Sequence, residues 1–138
     1  MEKAAFNFKG YHFKKATIEF PVEKEFYDLQ IGFNPSGVFD PKNSLYKLQL
    51  EVVVATEENN NEHPIVEIVC EAEFQFSQKI EINDIPSFFY PNSIAILFPY
   101  IRAFVSTLTL QANVTPIVLP TLNLTNLQEK LKQNTTIL

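Results

Sequence analysis

The sequence predicts a single α+β domain over residues 1–138, with a four-stranded, mostly antiparallel sheet first, then a long helix and a short C-terminal helix packed on one face. Three observations carry this reading. Apolar residues alternate at a period of two as far as Phe76, the mark of strands with one buried face. After Pro99 the period becomes three and four. Pro116 and Pro120 then separate that helix from a last leucine stripe. With 46% apolar residues in 138, the chain has enough material for one core.

The first strand is read from Ala16, Ile18 and Phe20, with Thr17 and Glu19 between them and Pro21 ending the run. Leu29, Ile31 and Phe33 make the second, and Asn34-Pro35-Ser36-Gly37 supplies turn chemistry after it. The third run places Tyr46, Leu48, Leu50, Val52 and Val54 on one face. A hairpin loop is expected from Thr56 to Pro64, and the fourth run aligns Val66, Ile68, Cys70, Ala72, Phe74 and Phe76. Short links between four strands imply antiparallel pairing. Few strand prolines or bulge glycines blunt the two edges, so edge pairing between subunits is expected.

Leu97, Ile101, Phe104, Val105 and Leu108 form the helix stripe, with Pro99 in its first turn. Val105, Thr107 and Thr109 are weak helix formers, so packing must hold this helix. An extended stretch through Ile117, Val118 and Leu119 leads to a helix capped by Asn123, with Thr125 and Gln128 as a second capping pair and Leu124, Leu127 and Leu131 on one side. Residues 134–138 read as a frayed tail.

Residues Met1 to Lys15 mix Lys and Glu with Phe, so no secretory leader is expected. The apolar stretch from Ile85 to Ile101 is interrupted by Pro86, Pro91, Asn92 and Pro99, which argues against membrane insertion; a cytoplasmic protein is expected. Cys70 is the single cysteine, which excludes an internal disulfide and a four-thiolate metal site. The formal charge is −5, and from Glu51 to Asp84 nine acids face one base, Lys79. Such a face repels phosphate backbones, so nucleic-acid binding is not expected.

Catalytic chemistry is absent from the pattern. His12 and His63 are far apart, Cys70 lies on the apolar side of a strand, and the three glycines are not grouped to cradle phosphate. Glu71 and Glu73 share a strand face that reads as solvated, and no metal or other cofactor is expected. What the chain has in excess is aromatic: 13 Phe and 5 Tyr. Phe26, Tyr27, Phe88, Phe89 and Tyr90 fall between the expected regular elements, where aromatics either plug the ends of a sheet or line an apolar groove.

Tyr90-Pro91-Asn92, Ile96-Leu97-Phe98-Pro99-Tyr100-Ile101-Arg102 and Pro116-Ile117-Val118-Leu119-Pro120-Thr121-Leu122-Asn123-Leu124 together resemble the C-terminal signature of SecB-type export chaperones. The likeness extends upstream through Phe6-x-Phe8, Lys14, Phe20-Pro21 and the third and fourth strands. It implies a non-enzymatic, ATP-independent holdase, assembled as a homotetramer, a dimer of dimers, that holds unfolded preproteins along apolar grooves and passes them to a SecA-type motor. On that reading Phe26, Tyr27, Phe88, Phe89 and Tyr90 contact the client, and Glu19 and Glu67 dock the motor. Lys15 stands where the family carries another docking acid, and the segment between Pro21 and Leu29 is shorter than the family's crossover loop. The alternative is a SecB-like chaperone dedicated to one partner, such as an antitoxin, with no general export role.

Overall fold

The computed structural model describes residues 5–20, 28–56 and 64–138, and the statements below concern these. Five strands form one sheet in the order β1-β4-β3-β2-β5, built from β1 (Phe6–Ile18), β2 (Leu29–Asp40), β3 (Leu45–Thr56), β4 (Val66–Phe76) and β5 (Thr135–Ile137). Two helices, α1 (Phe89–Gln111) and α2 (Leu124–Gln133), cover one face. The first four strands pair antiparallel, whereas β5 runs parallel to β2.

The centre of the sheet follows the sequence pattern closely. Tyr46, Leu48, Leu50, Val52 and Val54 of β3 and Val66, Ile68, Cys70 and Phe74 of β4 are wholly buried beneath the helices. Their alternation is unbroken because both strands are central and have a helix layer on one side only.

At the edges the expectation needs correction. β1 begins at Phe6, ten residues before the alternation read from Ala16, because register shifts at Phe8/Gly10 and Phe13/Lys15 insert Lys9 and Lys14 as bulges. Each bulge turns the following residues over, so Phe6, Phe8, Tyr11, Phe13, Ala16 and Ile18 all pair with inward-facing residues of β4. Gly10 takes φ 146 at the first shift. The β1 edge is therefore blunted by two bulges, against the expectation of an unprotected edge.

β2 does not end at Phe33. Asn34-Pro35-Ser36-Gly37 continue in register with Glu51 to Leu48, and the turn lies at residues 41–44. Asp40 closes it: Oδ1 accepts the Lys42 N–H at 3.0 Å and Oδ2 accepts from Asn43 Nδ2 at 2.8 Å. These bonds, Asn43 first, hold the Asp40 carboxyl below its ordinary range. Gly37 is required because the Tyr46 ring and hydroxyl occupy the space a Cβ would fill.

The long helix starts at Phe89, so Pro99 lies in its interior and not in its first turn. Pro99 and Ala95, the residue whose carbonyl loses its helical partner, are both exposed, so the break falls on the solvent side of the helix. By length and composition α1 could cross a bilayer; here Ile94, Leu97, Ile101 and Val105 are fully buried in the core shared with the sheet. The helix ends in a Schellman motif, with Asn113 at φ 61 and N–H bonds from Asn113 to Leu110 and from Val114 to Thr109.

The extended linker is fastened back onto α1. Buried Thr109 donates to the Val105 carbonyl and accepts the Ile117 N–H, both at 2.9 Å, while Ser106 donates to the Ile117 carbonyl at 2.9 Å. A residue read as a weak helix former is thus the anchor that sets the path to α2. Asn123 caps α2 through a 3.4 Å bond from Asn126 N–H, and Leu127 and Leu131 are buried. The last residues are not frayed: Thr135 to Ile137 form β5, adding a fifth strand to the four expected.

Candidate functional site

On the sheet face away from the helices, the acids of β4 project between bases from neighbouring strands. Lys15 Nζ lies 3.0 Å from Glu67 Oε2, Lys14 Nζ 3.5 Å from Glu71 Oε2 and Lys47 Nζ 3.8 Å from Glu73 Oε1. His12 Nε2 also approaches Glu71, at 4.0 Å. The acidic run seen in the sequence is therefore laced with positive charge once β1 and β3 flank β4. Glu19 is exposed just past the end of β1, its N–H bonded to the Ile65 carbonyl at 2.8 Å. A shallow polar hollow of about 210 Å³ lies at the first β1 bulge, lined by Lys9, Gly10, Tyr11, His12, Glu71 and Glu73. Among the described residues, no three His, Cys, Asp or Glu side chains gather as a metal site would need. Burial pushes the Cys70 thiol up to about 12, which leaves it protonated and inert.

The aromatic residues expected to contact a partner divide differently. Phe89 is wholly buried, with ring centroids 4.7 Å from Tyr46, 4.9 Å from Phe6, 5.0 Å from Phe76 and 5.5 Å from Phe74. Tyr90 is buried beside it, and burial raises its hydroxyl pKa. Both are core residues, because α1 begins where the sequence reading placed a loop. Phe88 is half-buried, its ring 6.4 Å from Phe6. Phe26 and Tyr27 lie outside the described residues.

Two partly exposed apolar surfaces flank α1 instead. On the β1 side, Tyr100 stacks on Tyr11 at 4.3 Å and on Phe8 at 5.9 Å, and Phe104 stacks on Phe13 at 4.1 Å. Tyr11 and Tyr100 each remain 41% exposed. On the β2 side, Phe33 meets Phe98 edge-to-face at 5.8 Å, with Ile31 half-buried and Leu29 exposed further along the strand. Among the described residues, no strand pairs with the outer edge of β2 from Leu29 to Ser36. These surfaces are faint in the sequence: Phe8, Tyr11 and Phe13 are out of phase until the bulges are known, and Phe33 and Phe98 each look like core.

A mostly antiparallel five-stranded sheet covered on one face by a long and a short helix, with partly exposed apolar surfaces flanking the long helix, defines the class as an α+β sheet-and-helix scaffold. Residues 4–135 match the model of the SecB family, preprotein translocase subunit SecB, and the chain belongs to that family. A curated protein of Methanocaldococcus jannaschii, uncharacterized protein MJ0357, is 43% identical over 58 residues, 39% of this chain and 37% of that protein. The chain thus spans well under half the length of that relative. Among solved structures, the fold is similar to the Mycobacterium tuberculosis SecB-like chaperone Rv1957, solved with a ChAD peptide from the Rv1956 HigA1 antitoxin. The TM-score is 0.66 at 17% identity, covering 86% of this chain and 90% of that one. A protein of unknown function from Streptococcus agalactiae shares the fold more loosely, at a TM-score of 0.50 and 7% identity, covering 87% and 100%.

Proposed function

We propose that this chain is a non-catalytic holding chaperone that captures an extended, non-native segment of one dedicated polypeptide partner in the cytoplasm. The observation that carries this reading is the β2-side surface, where Phe33 and Phe98 stand beside a stretch of strand edge, Leu29 to Asn34, that pairs with no strand among the described residues. Apolar contact is non-directional and tolerates many side chains, and main-chain bonds to a strand edge ignore them altogether. A binder of the unfolded state draws its partner from folding by mass action, so no nucleotide is needed. Membership of the SecB family supports a chaperone, and the shared fold with a chaperone described with an antitoxin peptide supports a dedicated partner.

The family's description as a preprotein translocase subunit favours a second reading, a general export holdase that delivers preproteins to a SecA-type motor. The Lys15–Glu67 ion pair weighs against it, since it neutralises an acid that would dock the motor. The exposed aromatic surface on the β1 side is assigned to a second copy of the chain in a homotetramer.

The test is suppression of aggregation of a chemically denatured protein, with Phe33→Ser and Phe98→Ser as variants whose folding is checked by circular dichroism. Folded variants that hold the client as well as the native chain would remove the β2-side surface from the proposal. Affinity capture separates the readings: one stoichiometric polypeptide supports the dedicated role, and many unfolded proteins together with a SecA-type motor support export. A solution mass near four chains supports the tetramer, and a stable monomer refutes it.

A further inference from the structure

β5 is a short strand in an unusual place. It follows α2 after Asn134 alone and lies parallel on the β2 edge, with Gly37 N–H donating to the Asn134 carbonyl at 3.1 Å and Leu138 N–H to the Phe39 carbonyl at 2.8 Å. One side chain plugs inward. The Thr135 hydroxyl donates to the Leu131 carbonyl at 2.6 Å, so its single proton is committed and the Tyr46 hydroxyl must donate to Thr135 Oγ1, also at 2.6 Å. Beyond Thr135 the hold is by main chain alone, the side chains of Ile137 and Leu138 being 56% and 80% exposed. α2 is anchored upstream by Leu127 and Leu131, so β5 can leave without undoing it.

We propose that β5 is a resident, exchangeable occupant of the β2 edge, and that this edge accepts in its place an extended partner segment running parallel to β2. The segment would carry a Ser or Thr at the position Thr135 fills and β-branched or apolar residues after it. The hydroxyl requirement follows from Gly37, which has no side chain and leaves the Tyr46 hydroxyl facing that position. Exchange is favoured because three residues gain few bonds against the entropy of ordering them, whereas a longer segment also pairs with the edge from Leu29 to Asn34, to which no strand is bonded among the described residues. The inference rests on the reading of the chain as a polypeptide binder and names the docking mode and its regulation: the chain's own strand competes with its partner.

Amide hydrogen exchange on the full chain tests this, with a synthetic peptide of residues Gln133–Leu138 as the probe. In the native chain the Gly37 and Leu138 amides exchange through a local opening, at least about tenfold faster than Leu48 and Leu50 in β3. Thr135→Val, which keeps shape and removes the hydroxyl, accelerates Gly37 at least about tenfold, since the bonds to Leu131 and from Tyr46 are both lost, and leaves Leu50 unchanged. Excess peptide restores protection of Gly37 in that variant. Exchange of Gly37 and Leu138 only at the rate of the β3 core, or a peptide without effect on Gly37, overturns the proposal. The assay uses no unfolded client, so loss of aggregation suppression with peptide protection intact defeats the chaperone reading alone.

Discussion

Lys15 on β1 holds its Nζ 3.0 Å from Oε2 of Glu67 on β4, so an acid that the family resemblance assigns to motor docking is already half of an ion pair. The pair is open to water, its side chains 50% and 23% exposed, and such pairs contribute about 0.2–1 kcal/mol. On that assignment its consequence is electrostatic: one docking acid is replaced by a base, which pairs with a second. Lys15→Glu should fold normally, change stability by less than about 1 kcal/mol, and raise affinity for a SecA-type motor above that of the native chain. Binding measured at low and high salt checks this. Equal affinities would mean that the pair does not limit docking.

The three glycines should respond differently to alanine, each for a separate reason. At Gly37 the new Cβ meets the Tyr46 ring and hydroxyl, an overpacking that costs about 1–3 kcal/mol. Gly10 has open space around it but sits at φ 146, so Gly10→Ala costs about 1–3 kcal/mol through the backbone alone and disturbs the first β1 bulge. Gly32 has neither constraint, and Gly32→Ala should be neutral or stabilise by about 0.4–1 kcal/mol. Urea midpoints of the three variants give the ranking, and a destabilised Gly32→Ala would contradict it.

Phe89→Ala should destabilise the fold by about 3–5 kcal/mol, because it removes a wholly buried ring packed among Phe6, Tyr46, Phe74 and Phe76. Phe33→Ser, at a half-buried position, should cost markedly less. Thermal unfolding separates them. If Phe89→Ala is as stable as the native chain, the aromatic cluster is not the centre of the core at that end of the sheet.

The parts of this fold that the sequence declared are those where one face alone is buried without interruption. Tyr46 to Val54 and Val66 to Phe76 read correctly because central strands keep strict alternation. β1 was hidden because its inward residues, 6, 8, 11, 13, 16 and 18, are spaced two and three by turns, and only the pairing with β4 shows that Lys9 and Lys14 are extra. Gly37 reads as turn chemistry, yet its small size serves the Tyr46 ring across the strand pair. β5 left no trace in composition, since Thr135 and Ile137 are held by an edge that no local pattern reveals. The candidate site was displaced because Pro99 was read into the first turn of α1, which begins ten residues earlier at Phe89, so that core residues Phe89 and Tyr90 looked like loop aromatics.

Alkaline pH should unfold this chain earlier than its carboxylates would suggest. Cys70 titrates ordinarily near 9.0 and is pushed up to about 12 by burial in the core, and burial likewise raises Tyr46 and Tyr90 above their ordinary 10.0. In each case the folded state holds the proton more tightly than the unfolded chain. The stabilisation is therefore fully present below the unfolded pKa and is lost as pH rises through the interval up to the folded one. Between about pH 9 and 10 Cys70 is the first to contribute, with a slope approaching about 1.4 kcal/mol per pH unit for one proton. Cys70→Ala removes this early slope, although the variant starts from lower stability because it leaves a small cavity, and the tyrosine contribution persists above about pH 10. Urea unfolding at steps from about pH 8 to 11 measures both slopes. A Cys70→Ala chain whose stability falls between about pH 9 and 10 as steeply as the native chain's would show that the thiol is not the group responsible.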